Sequence, residues 1–259
     1  MSEGESRGPL EPGRVVKGVF QALGRHWLWL LAVAFVLSFL PHLASGYVYA
    51  WATRGQSIGP LSLIRIGERN WIAIGVNIIP TAILLSLVIR RVTAEAGAPP
   101  TPPLAGLSRA PMVLVTHLMT IIGVGLAYLL LIVPGVVLSI VWSVAVPVVV
   151  VEKGSPPNCF ERSADLTRNH RWRIFFLGLI YSVGVVVIGF VLGVLIGIGE
   201  NALRQTISIG ILGFAATCAT SAIAALTATL GCLGMAVLYR ELVTLKHGAA
   251  APSLASVFD

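Results

Sequence analysis

The sequence predicts an all-α fold: a polytopic helical bundle of about six transmembrane helices with interfacial amphipathic helices. Hydrophobic residues make up 56% of the 259 residues and charged residues only 11%, whereas roughly a quarter of the residues in soluble domains are charged. The apolar residues also fall in long blocks without Lys, Arg, Asp or Glu, a pattern typical of membrane spans rather than of a soluble core. Finally, the basic residues concentrate between alternate blocks.

The lengths of the charge-free blocks give the number of spans. The block from Met112 to Val151 holds 40 residues and would be about 60 Å long as one helix, twice the thickness of the hydrocarbon layer. We divide it at Val133, Pro134 and Gly135, where Pro removes a donor and Gly permits a tight turn. The last block is interpreted as one tilted helix. The chain is therefore expected to form a single membrane domain over 14–246, with disordered tails at 1–13 and 247–259 and spans at 27–51, 71–89, 112–133, 135–151, 174–199 and 207–239.

The distribution of basic residues predicts the orientation. If both termini are cytoplasmic, 14 of the 18 Lys and Arg residues lie in cytoplasmic segments, as the positive-inside rule requires. The outer loops then hold the remaining four, which are Arg54, Arg65, Arg69 and Arg204. We expect a multi-pass protein of the bacterial cytoplasmic (inner) membrane. The formal charge of +7 indicates attraction to anionic lipids of the inner leaflet, with no nucleic-acid partner.

Short amphipathic stretches precede several spans. Val16, Val19, Phe20 and Leu23 follow the spacing of one helix face just before Arg25. Similar stretches lie at 104–109 and 160–168. Such helices lie in the membrane interface with their basic residues at the headgroups.

A cluster of charged residues follows the fourth span. Glu152 lies at the membrane edge and is expected to pair with Arg162 or Arg173, while Asp165 is three residues from both Arg162 and Arg168. Ser155 is expected to cap the helix that contains these residues. The favoured interpretation is a structural clamp; the alternative is a lipid-headgroup site. The candidate residues are Glu152, Arg162, Ser163, Asp165, Arg168 and Arg171.

A second candidate lies inside the membrane. His42 and Asn77 fall at similar depths on neighbouring antiparallel spans, and Pro41 and Pro80 lie in the same layer. The proline residues free backbone carbonyls that polar side chains can satisfy. The layer is either an interhelical hydrogen bond worth about 1 kcal/mol or part of a binding layer.

The residues around the end of the fourth span resemble those of a known family. They are the run from Val144 to Gly154, Pro156-Pro157, the run from Glu161 to Arg168, Arg171-Trp172-Arg173, Pro134-Gly135 and the run from Leu238 to Leu242. The pattern is similar to the membrane domain that some bacteria carry fused to glycerophosphoryl diester phosphodiesterase and that also occurs as stand-alone membrane proteins. The resemblance implies a six-span fold and no established activity.

Two positions depart from that family's pattern, and the hydrolase residues are missing. Asn169 and His170 replace the Gly and basic residue expected after Thr167-Arg168. The His170-Arg171 pair is at a membrane edge, and Glu200-Asn201 lacks the Thr of the hydrolase's metal motif. Its catalytic residues therefore cannot be transferred to this chain.

The sequence favours a non-catalytic membrane module, a scaffold or accessory that organises partners or inner-leaflet lipid. We find no nucleophile–base pair, metal-ligand set or phosphate loop, and expect neither enzyme activity nor a cofactor. The alternative is a transporter or channel for a small or lipid-like solute. Gly189, Gly193 and Gly197 form a small-residue face that would pack against the sixth span, or against a second copy or another membrane protein.

Overall fold

The computed structural model describes residues 10–52, 62–94, 104, 106–203 and 209–247. Three predicted features lie outside these residues. They are most of both tails, the side chains of all four outer arginines, and the start of the sixth span at 207. Within the described ranges the chain is helical and has no strand. The helices are α1 (Pro12–Ala34), α2 (Leu40–Ala52), α3 (Ser62–Thr93), α4 (Ala110–Leu130), α5 (Ile132–Val141), α6 (Ala145–Glu152), α7 (Pro156–Thr167), α8 (Arg171–Leu203) and α9 (Ile209–His247).

Six described segments are long and apolar enough to cross a membrane, which confirms the predicted fold class of a polytopic helical membrane protein. The second span lies at the end of α3, the third combines a 3-10 turn with α4, and the fourth combines α5 with α6. Their bounds are Pro12–Val48, Gly75–Thr93, Leu107–Leu130, Ile132–Glu152, Arg171–Gly199 and Ile211–Lys246.

The break between the third and fourth spans lies earlier than the sequence predicts. It falls at Leu131, whose backbone is extended (φ −160°, ψ 146°), and not at Val133–Gly135. Pro134 instead occupies the first turn of α5, where its missing N–H leaves no intrahelical bond unmade. Gly135 is needed for packing, because a Cβ there would lie 2.5 Å from the ring of Tyr128.

The first span contains two irregularities. His26 has non-helical angles (φ −125°, ψ 22°), so α1 bends between its amphipathic first half and the apolar residues from Trp27 onward. A π-helix then covers Phe35–Phe39, and the Leu40 N–H donates to the Phe35 carbonyl five residues back. Pro41 accounts for this wide turn, since its ring cannot donate and clashes with the carbonyl four residues earlier.

The chain divides into two compact units, each built from several chain segments. Unit 1 comprises 1–26, 85–179 and 232–259, and unit 2 comprises 27–84 and 180–231. Helix α6 is the buried centre of unit 1, and every residue from Ala145 to Val150 is buried. Its run of valines is a poor intrinsic helix former, but an apolar surrounding favours the helix because the backbone groups are satisfied internally.

Among the residues of unit 2 whose side chains the structure describes, few apolar side chains are buried. Two contacts join its helices. A Cβ on Gly46 of α2 would lie 2.6 Å from the Thr217 side chain of α9. The Tyr181 hydroxyl of α8 donates to the Thr227 carbonyl of α9 at 2.7 Å. Large apolar residues of α8 are exposed, including Phe190 at 71%. That surface is suited to lipid.

In the described part of unit 2, the glycine face of α8 does not make the close contact with the sixth span that its spacing predicts. A Cβ built on Gly189, Gly193 or Gly197 meets no heavy atom within 4 Å among the described residues. Close approach of helix backbones, which is the usual reason for such a face, is therefore absent at these three positions within the described part of unit 2.

In unit 1, two contacts connect the short elements to the spans. The Trp142 ring lies over Gly123 of α4, where a Cβ would be 2.3 Å away, and its centroid is 4.4 Å from that of Phe160 in α7. Gly106 is buried against the backbone of α3, and a Cβ there would be 2.3 Å from the Ser86 carbonyl oxygen. Gly106 thus fixes the segment that precedes α4.

We therefore expect Gly106→Ala to lower the free energy of unfolding by about 1 to 3 kcal/mol, the usual cost of overpacking. The contact is with backbone, so a side-chain rotation cannot relieve it. Gly13→Ala is the control, because a Cβ at Gly13 meets nothing within 4 Å. Thermal unfolding of the purified protein in detergent measures both, and equal stability of the two variants would contradict the contact.

Candidate functional site

The polar site of unit 1 is built on Glu152, the last residue of the buried helix α6. Arg162 Nε of α7 lies 3.3 Å and 3.2 Å from the two carboxylate oxygens of Glu152 and donates to both. The Tyr239 hydroxyl of α9 donates to the same carboxylate at 3.0 Å. Glu152 therefore joins three helices, and Arg162 is one of the two partners expected from the sequence.

Asp165 extends this network on α7. Its carboxylate accepts from Arg162 Nη1 at 3.4 Å and also contacts the Lys246 ammonium of α9. The hydrogen bond from Lys246 is the main reason why the pKa of Asp165 lies below its usual value, and the charge of Arg162 adds to the effect. Glu152, Arg162, Asp165, Tyr239 and Lys246 form a continuous set that we call the ion network.

The ion network includes only half of the residues proposed from the sequence. Ser163 is fully buried and donates to the Val141 carbonyl at 2.7 Å, so its hydroxyl anchors α7 to the end of α5. Arg168 and Arg171 are exposed and lie outside the network. Arg173, the other expected partner of Glu152, donates instead to the Leu10 carbonyl at 2.6 Å.

The turn between α6 and α7 brings Glu152 and Arg162 together. Lys153 has a left-handed backbone (φ 58°), which ends α6 and reverses the chain at once. Ser155 has the extended backbone of a cap residue, but its side chain makes no capping hydrogen bond. Cys159 of α7 is buried beside this turn, and burial followed by the Glu152 charge raises the pKa of its thiol.

A basic cavity of about 660 Å³ lies between the first half of α1 and the end of α9, also within unit 1. Its polar lining residues are Arg14, Lys17, Gln21 and Arg25 of α1 with Arg240 and Glu241 of α9. The lining has a net formal charge of +3. Arg240 Nη1 also donates to the Val92 carbonyl at 3.4 Å, which holds it near the end of α3.

In unit 2, the structure gives His42 a partner other than Asn77. The His42 ring nitrogen Nδ1 is 2.8 Å from the Ser38 carbonyl in the wide turn before Pro41, and the Ser45 hydroxyl donates to the His42 carbonyl. The ring thus satisfies a carbonyl within its own span. Asn77 is buried, three residues before Pro80.

Several functional residues escaped prediction from the sequence. Tyr239 and Lys246 belong to a helix that is distant in sequence from Glu152, and no local pattern indicates the contact. The sequence contains a signal for one wall of the cavity, because Arg14, Lys17, Gln21 and Arg25 follow the three- and four-residue spacing of one helix face. The opposite wall, made by α9, has no such signal.

These features define a multi-pass helical membrane protein whose helix ends in unit 1 are joined by ion pairs beside a basic cavity. The chain belongs to the family described as a domain of unknown function (DUF7847), whose model matches residues 69–242. The match includes most of the ion network and the α9 side of the cavity, and α1 precedes it. Searches of curated proteins and of solved structures found no match to the chain.

We expect Glu152→Arg to destabilise the protein strongly, because it would oppose Arg162 and leave Tyr239 without its acceptor. The Glu152 and Arg162 side chains are 33% and 28% exposed, so the cost should be on the order of 2 kcal/mol, between exposed and buried ion pairs. Expression yield and thermal unfolding measure it. Glu161→Arg on exposed α7 surface makes the same charge change as a control. Unchanged yield and melting of Glu152→Arg would reject the structural role.

Proposed function

We propose that the protein is a non-catalytic membrane module that organises anionic lipid of the inner leaflet, as a scaffold or accessory. Its membrane is the bacterial cytoplasmic membrane, and both termini are cytoplasmic. The observation that carries the proposal is the concentration of basic residues in one compact unit. The segments of unit 1 contain 14 of the 18 Lys and Arg residues, and those of unit 2 contain four.

The ion network supports a scaffold role for unit 1. Its carboxylates and cations join α6, α7 and α9, and Arg173 and Arg240 hold Leu10 and the end of α3 through backbone carbonyls. Contacts of this kind fix helix ends against each other. They leave Arg168 and Arg171 exposed on the surface, where basic residues attract anionic headgroups at about 1 kcal/mol each.

The residues of the described network favour binding and stabilisation over catalysis. Both of its carboxylates have cationic partners, and burial together with the Glu152 charge keeps the Cys159 thiol protonated, which disfavours it as a nucleophile. A relation to the membrane domain associated with glycerophosphoryl diester phosphodiesterase is part of this proposal. It rests on the residue pattern around 144–173.

The alternative function, a transporter or channel, depends on the layer of Pro41, His42, Asn77 and Pro80. The hydrogen bond of His42 to its own span favours a structural role for that ring. If vesicles that contain the protein take up a solute, and His42→Ala abolishes this uptake, transport would replace the scaffold proposal.

The proposed orientation predicts which side of the membrane each exposed position reaches. In a variant without the three native cysteines, Arg168→Cys of unit 1 should be protected from a membrane-impermeant maleimide in intact cells. Ala202→Cys of α8, which is also exposed, should be labelled. Disruption of the cells should make Arg168→Cys reactive. The reverse pattern in intact cells would overturn the orientation.

The proposed lipid role predicts that anionic lipid stabilises the protein. In nanodiscs, adding phosphatidylglycerol to phosphatidylcholine should raise the melting temperature by several degrees, because the exposed cations gain counter-charges. The gain should shrink at high salt, which shortens the Debye length to about 3 Å at 1 M. Equal melting in both lipid compositions at low salt would contradict the proposal.

A further inference from the structure

We propose that the cavity between α1 and α9 binds a phosphate group, and that the headgroup of an anionic phospholipid supplies it. The inference deepens the proposed lipid role and rests on it. It assigns the binding to a different part of unit 1 from Arg162, Ser163, Arg168 and Arg171, the residues that the sequence indicates.

The cations of the cavity come from one face of α1 and from the facing end of α9. The α1 residues are Arg14, Lys17, Gln21 and Arg25, which follow each other at steps of three, four and four residues. At this spacing their side chains project to one side of the helix. Arg240 faces them from α9. Cations from two helices thus surround one volume, whereas a solvated basic helix would present its charges to water from one side only.

A close packing point fixes the two helices that form the cavity. Gly18 of α1 lies against Val237 of α9, where a Cβ would be 2.8 Å from the Val237 side chain. Ala22, one turn further along α1, is buried on the same face. The backbones are therefore close at Gly18, and the long side chains on either side of this point form the cavity walls.

The size and charge of the cavity match a phosphate ester. Its volume of about 660 Å³ lies within the roughly 300–1,000 Å³ of small-molecule sites. Guanidinium groups bind phosphate oxygens through two parallel hydrogen bonds, and a lysine adds a point charge. Arg14 also pairs with Glu11 at 3.3 Å, but Glu11 is 67% exposed, and such surface pairs are weak enough to be displaced.

The remaining surface of α1 favours a lipid over a soluble phosphate. Val16 and Phe20 are 45% and 66% exposed and are four residues apart, so they share a face that differs from the basic one. An amphipathic helix of this kind lies in the membrane interface with its apolar face in the acyl region. A headgroup in the cavity would then leave its acyl chains at the depth of Val16 and Phe20.

Calorimetric titration of the full chain in detergent with short-chain phosphatidylglycerol tests the site. Arg14→Gln/Lys17→Gln should weaken binding at least tenfold, and Arg90→Gln/Lys153→Gln, which removes the same charge elsewhere in unit 1, should leave it within threefold. Glu241→Gln should tighten binding several-fold, because it removes the carboxylate from the cavity lining. A folding defect cannot produce that gain.

Two further titrants identify the ligand. Short-chain phosphatidylcholine should bind at least tenfold more weakly than phosphatidylglycerol. Equal binding of the two lipids, or equal weakening by the two double variants, would overturn the site. If inorganic phosphate binds as tightly as the lipid and competes with it, the phosphate site is supported and the lipid source is overturned.

The outcome separates this inference from the proposed function. Nanodiscs that show stabilisation by anionic lipid, with unchanged lipid binding in Arg14→Gln/Lys17→Gln, would refute the cavity and retain the lipid role. Tight binding of inorganic phosphate without any stabilisation by anionic lipid would support the cavity as a phosphate site and refute the lipid role.

Discussion

The structure of unit 1 depends on a carboxylate placed where a helix least favours it. Glu152 is the last residue of α6, and the C-terminal end of a helix carries partial negative charge that repels an anion. The carboxylate is stabilised there by the Arg162 guanidinium and the Tyr239 hydroxyl. Because α6 is the buried centre of unit 1, this carboxylate joins that centre to α7 and to the end of α9.

Several later features of the chain follow from that arrangement. The left-handed Lys153 lets α7 start within four residues of Glu152, and the buried Ser163 then fixes α7 to the Val141 carbonyl. The end of α9 contacts both neighbouring helices, α6 through Tyr239 and Glu152 and α7 through Lys246 and Asp165. The same end of α9 carries Arg240 and Glu241 to the cavity. The ion network and the basic cavity therefore share one helix, and a change in the position of α9 would affect both.

The sequence predicted the features that depend on solvent and on local spacing. The number of spans follows from block lengths, because hydrocarbon excludes charge from each block. Charge at a membrane edge indicated that Glu152 pairs with Arg162 or Arg173, and the structure contains the pair with Arg162. Contacts between distant segments, such as Tyr239 with Glu152, depend on how the helices pack, and apolar helix surfaces contain little information on that. The glycine face of α8 shows the same limit, since its spacing indicates close packing that the described structure does not contain.

The π-helix at Phe35–Phe39 has a consequence for the register of the first span. A turn of this kind accommodates one residue more than an α-helical turn, and each residue of an α-helix advances the face by about 100°. Everything from Leu40 to Ala52 is thus rotated by about that angle relative to a continuous helix from Trp27. If the wide turn closed to an α-helical turn without losing a residue, Gly46 would move off Thr217 and a bulkier side chain would enter the narrow gap.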